Sequence, residues 1–147
     1  YIDTKLQKLG PDVFDIELPE FNKLIEKTKN KNEIISLFLV EQKTISGIGN
    51  YLRSEILWFA NIDPFVKICE LNKTDIVGIY LAIKTIIWVY YDYDQGLKLA
   101  HIIDNLEHPS KYKKSYYIYS EKSDIYNNKV HISTTKKGKD VRKVYYI

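Results

Sequence analysis

Methionine is missing from this 147-residue sequence, and it has only one cysteine, four prolines and six glycines. An intact translation product begins with methionine, so we expect a fragment, a processed chain or the ordered part of a longer protein. Cys69 has no partner for an internal disulfide and is expected to be a small core residue. The longest apolar stretches are interrupted by Lys84 or Asp92, which argues against a membrane-spanning helix and a membrane partner. We therefore expect a soluble intracellular protein with one domain's worth of residues.

Arginine is also scarce, because the chain has 20 lysines and only Arg53 and Arg142. The net charge of +3 is unevenly divided: residues 1–110 carry 12 basic and 16 acidic side chains, whereas residues 111–147 carry 10 basic and 3 acidic ones. Seven tyrosines are interleaved with the lysines of this second segment. A solvated basic tail is the simpler interpretation, but disordered tails contain few aromatic residues. The segment therefore favours a folded module that binds a polyanion.

Hydrophobic periodicity predicts four main helices between about residues 19 and 93. Each expected start is marked by a helix-initiating proline or a capping asparagine, at Pro19, Asn32, Asn50 and Asn72. The expected ends lie near Asn30, Gln42, Pro64 and Gly96.

The pattern changes to period two beyond Pro109, which predicts β-structure. The expected elements are a lead-in strand at Tyr117 and Tyr119, a turn at 127–128, strands over 129–133 and 141–147, and a turn at 136–139 between them. An isolated hairpin is marginally stable in water, so we expect this one to pack on the helices through its tyrosines.

Residues 47–51, Gly-Ile-Gly-Asn-Tyr, place a two-glycine turn directly before an amphipathic helix. Gly47 and Gly49 let backbone amides approach a ligand closely. Asn50 stands at the expected N-cap, beside unpaired amides and the positive end of the helix dipole. A phosphate is the natural partner of such a corner. The alternative is a sharp turn between two helices with Asn50 as an ordinary cap, and these residues alone leave both interpretations open.

The run from Ile34 to Phe65 closely resembles the helix-two-turn-helix of the formamidopyrimidine-DNA glycosylase and endonuclease VIII family. The resemblance is strongest to the Nei-like branch, in which Gly-Ile-Gly-Asn-Tyr-Leu-Arg-x-Glu-Ile-Leu, here residues 47–57, is characteristic. Residues 9–12, Leu-Gly-Pro-Asp, look like the family's approach to this domain. The resemblance implies a mainly α fold with a small β-hairpin, in which a helix-two-turn-helix domain over 1–110 precedes a finger over 111–147.

The family carries a four-cysteine zinc finger where this chain has its hairpin. Residues 111–147 contain no cysteine and a single histidine, His131, whereas zinc needs about four ligands. The tail therefore resembles the zincless finger of part of the Nei-like branch. We expect no metal and no other cofactor, and His131 as a surface strand residue.

The resemblance also implies which residues contact DNA. Asn50 and the amides around Gly47, Gly49 and Tyr51 would bind a backbone phosphate. Arg142 would hold phosphates that flank the lesion with its planar fork. Unspecific phosphate attraction is expected from Lys43, Lys139 and Lys143.

Two further residues of the motif are expected to be structural. Arg53 is interpreted as a helix-surface charge or an intramolecular partner for a carboxylate. Glu55 is interpreted as a structural hydrogen-bond acceptor rather than a catalyst.

The resemblance implies that the intact parent is a bifunctional glycosylase and abasic-site lyase for oxidised bases. In the family, an N-terminal proline in a separate β-sandwich domain attacks C1′ and cleaves the strand by β,δ-elimination, with a glutamate beside it. Neither residue is expected in this chain, which should be inactive alone. The expected partner is damaged double-stranded DNA, or single-stranded DNA, bound by a monomer in the nucleus or, for a large DNA virus, in its factory or virion.

Two alternatives come from other classes of protein. A noncatalytic nucleic-acid binder of the ribosomal-protein kind also uses a Gly-Ile-Gly turn, but it ends in a disordered basic extension rather than alternating strands. A protein-interaction domain with an incidental basic hairpin is the other alternative. Substitution of Asn50 and Arg142 distinguishes DNA binding from a protein interface, because only a DNA-binding surface should lose affinity for DNA.

Overall fold

Four helices and one two-stranded sheet follow each other in the computed structural model, which describes residues 9–28, 30–88 and 117–147. The helices are α1 (Leu18–Lys27), α2 (Ile35–Val40), α3 (Asn50–Ala60) and α4 (Lys73–Ile87), with a 3-10 turn at Ile68–Glu70. The strands are β1 (His131–Lys137) and β2 (Asp140–Tyr146). The mainly α fold with a small hairpin is thus confirmed. The predicted helix end at Gly96 and the predicted domain boundary at 110 lie outside the described residues.

Local signals account for the starts of α1 and α4. Pro19 lies in the first turn of α1, where its missing amide costs no hydrogen bond. Asn72 caps α4, since its side chain accepts from the Asp75 amide at 2.8 Å and the Asp75 carboxylate accepts from the Asn72 amide at 3.1 Å. These two starts are predicted correctly by the sequence.

Tertiary contacts decide the start of α2, where the prediction of Asn32 as the cap is wrong. Ile34 occupies the N-cap position and contributes no side-chain hydrogen bond. The amides of Ile35 and Ser36 donate instead to the carbonyl groups of Val66 and Pro64, at 2.8 and 3.3 Å. A chain segment from beyond α3 therefore satisfies the first turn, and a side-chain cap is unnecessary.

The predicted ends of the first three helices also shift. The first two stop earlier than expected, at Lys27 and Val40. Helix α3 ends at Ala60, because the next residue, Asn61, adopts the left-handed conformation with φ 57° and terminates the helix before Pro64.

The strands pair antiparallel from His131 opposite Tyr146 to Lys137 opposite Asp140. A two-residue turn joins them, and Gly138 adopts φ 62° there. The first strand therefore covers 131–137 instead of the predicted 129–133, because the turn is shorter than the predicted 136–139. The prediction of His131 as an exposed strand residue is confirmed.

The segment before the hairpin forms turns, so the predicted lead-in strand at Tyr117 and Tyr119 is wrong. The amides of Tyr117 and Ile118 bind the Glu55 carboxylate instead of a neighbouring strand. The turn predicted at 127–128 is centred two residues earlier, at 125–126, and Asn127, whose amide donates to the Asp124 carbonyl, adopts φ 65°.

One apolar core joins the four helices and is closed by the hairpin. Its fully buried side chains include Phe21, Phe38, Leu39, Ile45, Ile48, Leu52, Ile56, Ile79 and Ile83. Tyrosines attach the finger, as predicted: Tyr146 meets Phe65 edge-on at 5.4 Å and Tyr117 stacks on Trp58 at 5.1 Å. Cys69 is exposed in the 3-10 turn, so its prediction as a core residue is wrong. No helix of the described ranges has the length and apolarity needed to cross a membrane.

Candidate nucleic-acid interface

The connection between α2 and α3 is built by side chains that hold its two turns. Gln42 donates to the Ile48 carbonyl at 2.9 Å and accepts from the Gly47 amide at 3.0 Å. Ser46 donates to the Gly10 carbonyl at 3.1 Å, and its own backbone pairs with Asp12. The sequence did not single out Gln42 or Ser46, because neither has a local signature for this role.

Gly10 packs so closely on this connection that no side chain fits there. A Cβ at Gly10 would lie 2.2 Å from the Thr44 carbonyl oxygen. Residues 9–12 therefore pack against the two-turn connection and hold it in place, which gives the Leu-Gly-Pro-Asp sequence a structural role.

The start of α3 differs from the prediction in one respect, because Gly49 is the N-cap and Asn50 is the first helical residue. The Gly49 carbonyl accepts the first helical hydrogen bond, from the Arg53 amide at 3.1 Å. Glycine has no side chain with which to cap, and α3 has no side-chain cap hydrogen bond. The positive end of the helix dipole is thus not covered by a capping side chain.

Asn50 is half-buried, and its Oδ1 is buried without a hydrogen-bond partner among the described residues. Tyr51 is also half-buried, and its ring meets Tyr119 edge-on at 6.2 Å. The Tyr51 side chain therefore helps to attach the segment before the finger, and only its backbone amide stays a candidate for ligand contact.

Arg142 lies on β2 with a partly exposed side chain, and its Nε donates to the Asp140 carboxylate at 2.9 Å. It faces the helices together with the buried Val144, whereas the neighbouring Lys143 projects from the opposite face of the strand. Arg53, which is one helical turn beyond Asn50, donates to the backbone carbonyl of Lys143, the residue next to Arg142, at 3.4 Å. The structure thus brings Asn50 and Arg142 to the same region and leaves Lys143 on the other face of the hairpin.

The predicted lysines are peripheral to this region. Lys43 is exposed in the two-turn connection, and Lys139 is exposed at the hairpin turn. Their positions fit general attraction of a polyanion rather than a defined contact.

The predictions for the two structural residues have opposite outcomes. Glu55 is fully buried and accepts from the amides of Tyr117 and Ile118 at 2.8 and 2.9 Å, so the prediction of a structural acceptor is confirmed. Arg53 is fully buried as well, and no carboxylate of the described residues lies within 4.0 Å of its guanidinium. Its interpretation as a surface charge or carboxylate partner is wrong, because its guanidinium binds backbone carbonyl groups instead.

Asp124 organises the turn at 124–128 and was missed by the sequence. Its carboxylate accepts from Trp58 Nε1 at 3.1 Å, from the Tyr126 and Asn128 amides at 2.9 Å each, and from Asn128 Nδ2 at 3.2 Å. An aspartate that precedes two asparagines suggests a turn, but the indole 66 residues away could not be foreseen. Groups of three or more potential metal ligands are absent from the described part of the chain.

Two helices joined by a double turn, with a hairpin packed on the second helix, define a helix-two-turn-helix domain followed by a finger. Residues 9–96 match the formamidopyrimidine-DNA glycosylase H2TH domain, and the chain belongs to this family.

Individual relatives agree with this assignment. Endonuclease 8 of Pectobacterium carotovorum is 39% identical over 71 residues, which are 46% of this chain and 27% of the relative. The formamidopyrimidine-DNA glycosylase of Herpetosiphon aurantiacus is 32% identical over 83 residues, 55% of this chain and 29% of the relative. This chain matches less than a third of the length of either protein.

Solved structures show the same fold over almost the whole chain. A viral DNA glycosylase superposes with a TM-score of 0.64 at 22% identity, covering 99% of this chain and 50% of the other. The Lactococcus lactis formamidopyrimidine-DNA glycosylase, in a complex with DNA and an inhibitor, gives a TM-score of 0.68 at 19% identity, with 99% and 52% covered. The chain thus corresponds to about half of each of these structures.

Proposed function

We propose that this chain is the DNA-binding half of a base-excision-repair glycosylase and abasic-site lyase for oxidised bases. The observation that carries the proposal is the start of α3. Its N-cap residue, Gly49, has no side chain with which to cap the first amides, and a Cβ added there would meet nothing within 4 Å in the part of the chain that the structure describes. Together with the family, this open and positively polarised corner supports a DNA phosphate as the ligand.

Two contacts form the proposed grip on the DNA backbone. At the start of α3, a phosphate takes hydrogen bonds from the helix amides and from Asn50 Nδ2. At β2, a second phosphate binds the terminal nitrogens of Arg142, whose Nε is already held by Asp140. Lys43, Lys139 and Lys143 add long-range attraction without fixing a position.

The proposed partner is damaged double-stranded DNA, bound by one copy of this chain, and the place of action is wherever that DNA lies in a cell or a viral factory. We assign base extrusion and the bond-breaking chemistry to residues outside these 147. Extrusion of a base costs a few kcal/mol, which several phosphate contacts can offset. The chain alone is therefore expected to bind an abasic-site duplex and to leave it uncut.

The testing experiment is a salt titration of binding to a short duplex with an abasic-site analogue. Arg142→Ala is expected to lower affinity about tenfold and to flatten the dependence of log K on log salt by about 0.9. Asn50→Ala is expected to lower affinity about fivefold with an unchanged slope, because a neutral side chain releases no counterion.

Matched controls lie on α1, where Lys23→Ala removes a charge and Asn22→Ala removes a carboxamide. Both controls should bind like the parent chain. The proposal fails if Asn50→Ala and Arg142→Ala bind no worse than these two controls.

A further inference from the structure

Arg53 is a fully buried cation on the inner side of α3. Its Nη1 donates to the Ser36 carbonyl at 3.3 Å and its Nη2 to the Lys143 carbonyl at 3.4 Å. The guanidinium thus connects three elements, α2, α3 and β2, through a single side chain. Its Nε has no hydrogen-bond partner among the described residues.

The charge of Arg53 is retained although none of the carboxylates in the described ranges lies within 4.0 Å of its guanidinium. Burial and the nearby charge of Arg142 lower the pKa of Arg53 to about 10, which still leaves the guanidinium protonated at neutral pH. An apolar side chain of similar volume would avoid the cost of burying a charge. The planar fork offers what an apolar residue cannot, because it holds carbonyl groups of two separate segments at once.

Arg53 lies next to both halves of the proposed phosphate grip, the start of α3 and Arg142. Asn50 lies three residues before Arg53 and so on the same face of α3. Lys143, whose carbonyl Arg53 holds, directly follows Arg142 on β2. Because its side chain is fully buried, Arg53 does not itself reach a polyanion at the surface.

We propose that Arg53 is a positioning residue that fixes β2, and with it Arg142, against the start of α3. The start of α3 and Arg142 are then held at a fixed distance from each other, so that both can bind phosphates of one DNA backbone. This inference rests on the proposed function and adds a residue that acts through Arg142 rather than on the DNA.

The test is a double-mutant cycle of Arg53→Lys and Arg142→Ala, measured as affinity for the abasic-site duplex. Lysine keeps the charge but cannot hold two carbonyl groups in a planar fork. Arg53→Lys should weaken binding about fivefold in the parent chain and less than about twofold when Arg142 is already alanine. A general loss of stability would weaken binding equally in both backgrounds, so equal losses overturn the proposal.

Ser54→Ala is the matched control, because Ser54 Oγ accepts from the Tyr145 amide at 3.2 Å and so holds the same strand two residues further on. Its effect on binding should be equal with and without Arg142. If Ser54→Ala shows a coupling to Arg142 as large as that of Arg53→Lys, any contact that attaches the hairpin positions Arg142. That result would overturn the specific role of Arg53. If Arg53→Lys does not fold, Arg53→Gln, which keeps one amide donor, takes its place in the cycle.

Hydrogen exchange of the β2 amides separates failure of this inference from failure of the proposed function. Arg53→Lys should raise exchange at 142–144 in the free chain, whether or not Arg142 touches DNA. If Arg142→Ala leaves binding intact while this exchange rises, the phosphate grip fails and the positioning of β2 stands. If Arg142→Ala weakens binding and Arg53→Lys changes neither affinity nor exchange, the grip stands and the inference is overturned.

Discussion

Gly47 and Gly49 stand two residues apart and have different reasons to be glycine. Gly47 adopts φ 109°, and a Cβ there would lie 2.7 Å from Val13 Cγ1. Gly49 has an extended backbone with φ −97°, and a Cβ there would enter open space. Of these two positions, the fold requires glycine only at 47, whereas glycine at 49 leaves the start of α3 open, as the proposed phosphate contact needs.

Alanine at each position should separate these two reasons. Gly47→Ala should lower the free energy of unfolding by about 1–3 kcal/mol, because it forces a side chain into the left-handed region. Gly49→Ala should lower the free energy of unfolding by no more than about 1 kcal/mol, because alanine is a poorer N-cap than glycine, yet weaken duplex binding about tenfold by obstructing the phosphate. Urea denaturation and the duplex titration measure the two effects.

The opposite pattern would contradict this interpretation of the turn. If Gly49→Ala binds DNA like the parent chain, the corner is an ordinary helix start and the phosphate lies elsewhere. If Gly47→Ala is as stable as the parent chain, the turn relaxes more easily than its contact with Val13 implies.

The turn at 124–128 is an element held by one carboxylate. Burial of Asp124 raises its pKa, but the hydrogen bonds from Trp58, Asn128 and Tyr126 outweigh this effect and hold the pKa below its usual value of 3.8. Asp124 thus fixes the conformation of this turn and attaches it to Trp58 of α3 through hydrogen bonds.

A depressed folded-state pKa gives the stability of the finger a defined pH dependence. The stabilisation by Asp124 should be fully present above the unfolded-state pKa near 3.8 and should decline as the pH falls through the lower folded-state pKa. Asp124→Asn should therefore destabilise the chain at neutral pH and reduce the loss of stability on acidification. Urea midpoints across the acidic range, compared with those of Asp63→Asn, measure the difference.

Asp63 is a matched control because its carboxylate accepts the Phe65 amide at 2.8 Å in a similar turn and has no distant partner among the residues that the structure describes. An Asp124→Asn variant with the acid sensitivity of the parent chain would show that the carboxylate does not organise the finger.

Helix α3 is the element to which the C-terminal segment is attached. Three consecutive residues of α3 bind the C-terminal segment. Arg53 donates to the Lys143 carbonyl, Ser54 accepts a hydrogen bond from the Tyr145 amide, and Glu55 accepts from the two amides of 117–118. At the hairpin turn, Lys137 forms ion pairs with Glu33 at 3.2 Å and Glu41 at 3.6 Å. The Lys137 side chain is half-exposed, so these ion pairs contribute little beside the buried hydrogen bonds.

For the whole molecule, these attachments imply that helices and finger unfold together, although the sequence suggests two units. Far-ultraviolet dichroism of the helices and near-ultraviolet dichroism of the tyrosines should lose their signals at the same urea concentration. Glu55→Gln should separate the two transitions, because one amide oxygen cannot replace the two carboxylate oxygens that accept from Tyr117 and Ile118.

Ser36→Ala is a control of similar burial on α2, and it should leave the transitions coincident. Separate transitions in the parent chain would mean that the finger folds independently of α3. Coincident transitions in Glu55→Gln would mean that the remaining contacts suffice to couple them.

Charge is also distributed on the scale of the whole molecule. The excess of positive charge lies in 111–147, which includes the hairpin, whereas residues 1–110 are net acidic. We therefore expect a polyanion to be attracted to this segment, which includes Arg142. Composition is enough for this prediction, because it depends on summed charge rather than on the position of any one side chain.

The sequence by itself determined the helix starts at Pro19 and Asn72, the turn glycines at 47 and 138, and the presence of a hairpin. These features depend on φ values and on hydrogen bonds between residues a few positions apart, which a local pattern records. The two-glycine turn before α3 also belongs here, although the exact N-cap residue does not.

Only the tertiary structure decided how Arg53, Glu55 and Asp124 are used. Their partners lie 90, 62 and 66 residues away, so no local spacing indicates whether a charged side chain points to solvent or into a junction. Burial then makes each hydrogen bond obligatory, because a charged group removed from water must find partners in the fold. The sequence thus predicted most of the elements, and long-range packing decided which residues hold the helices and the finger in register.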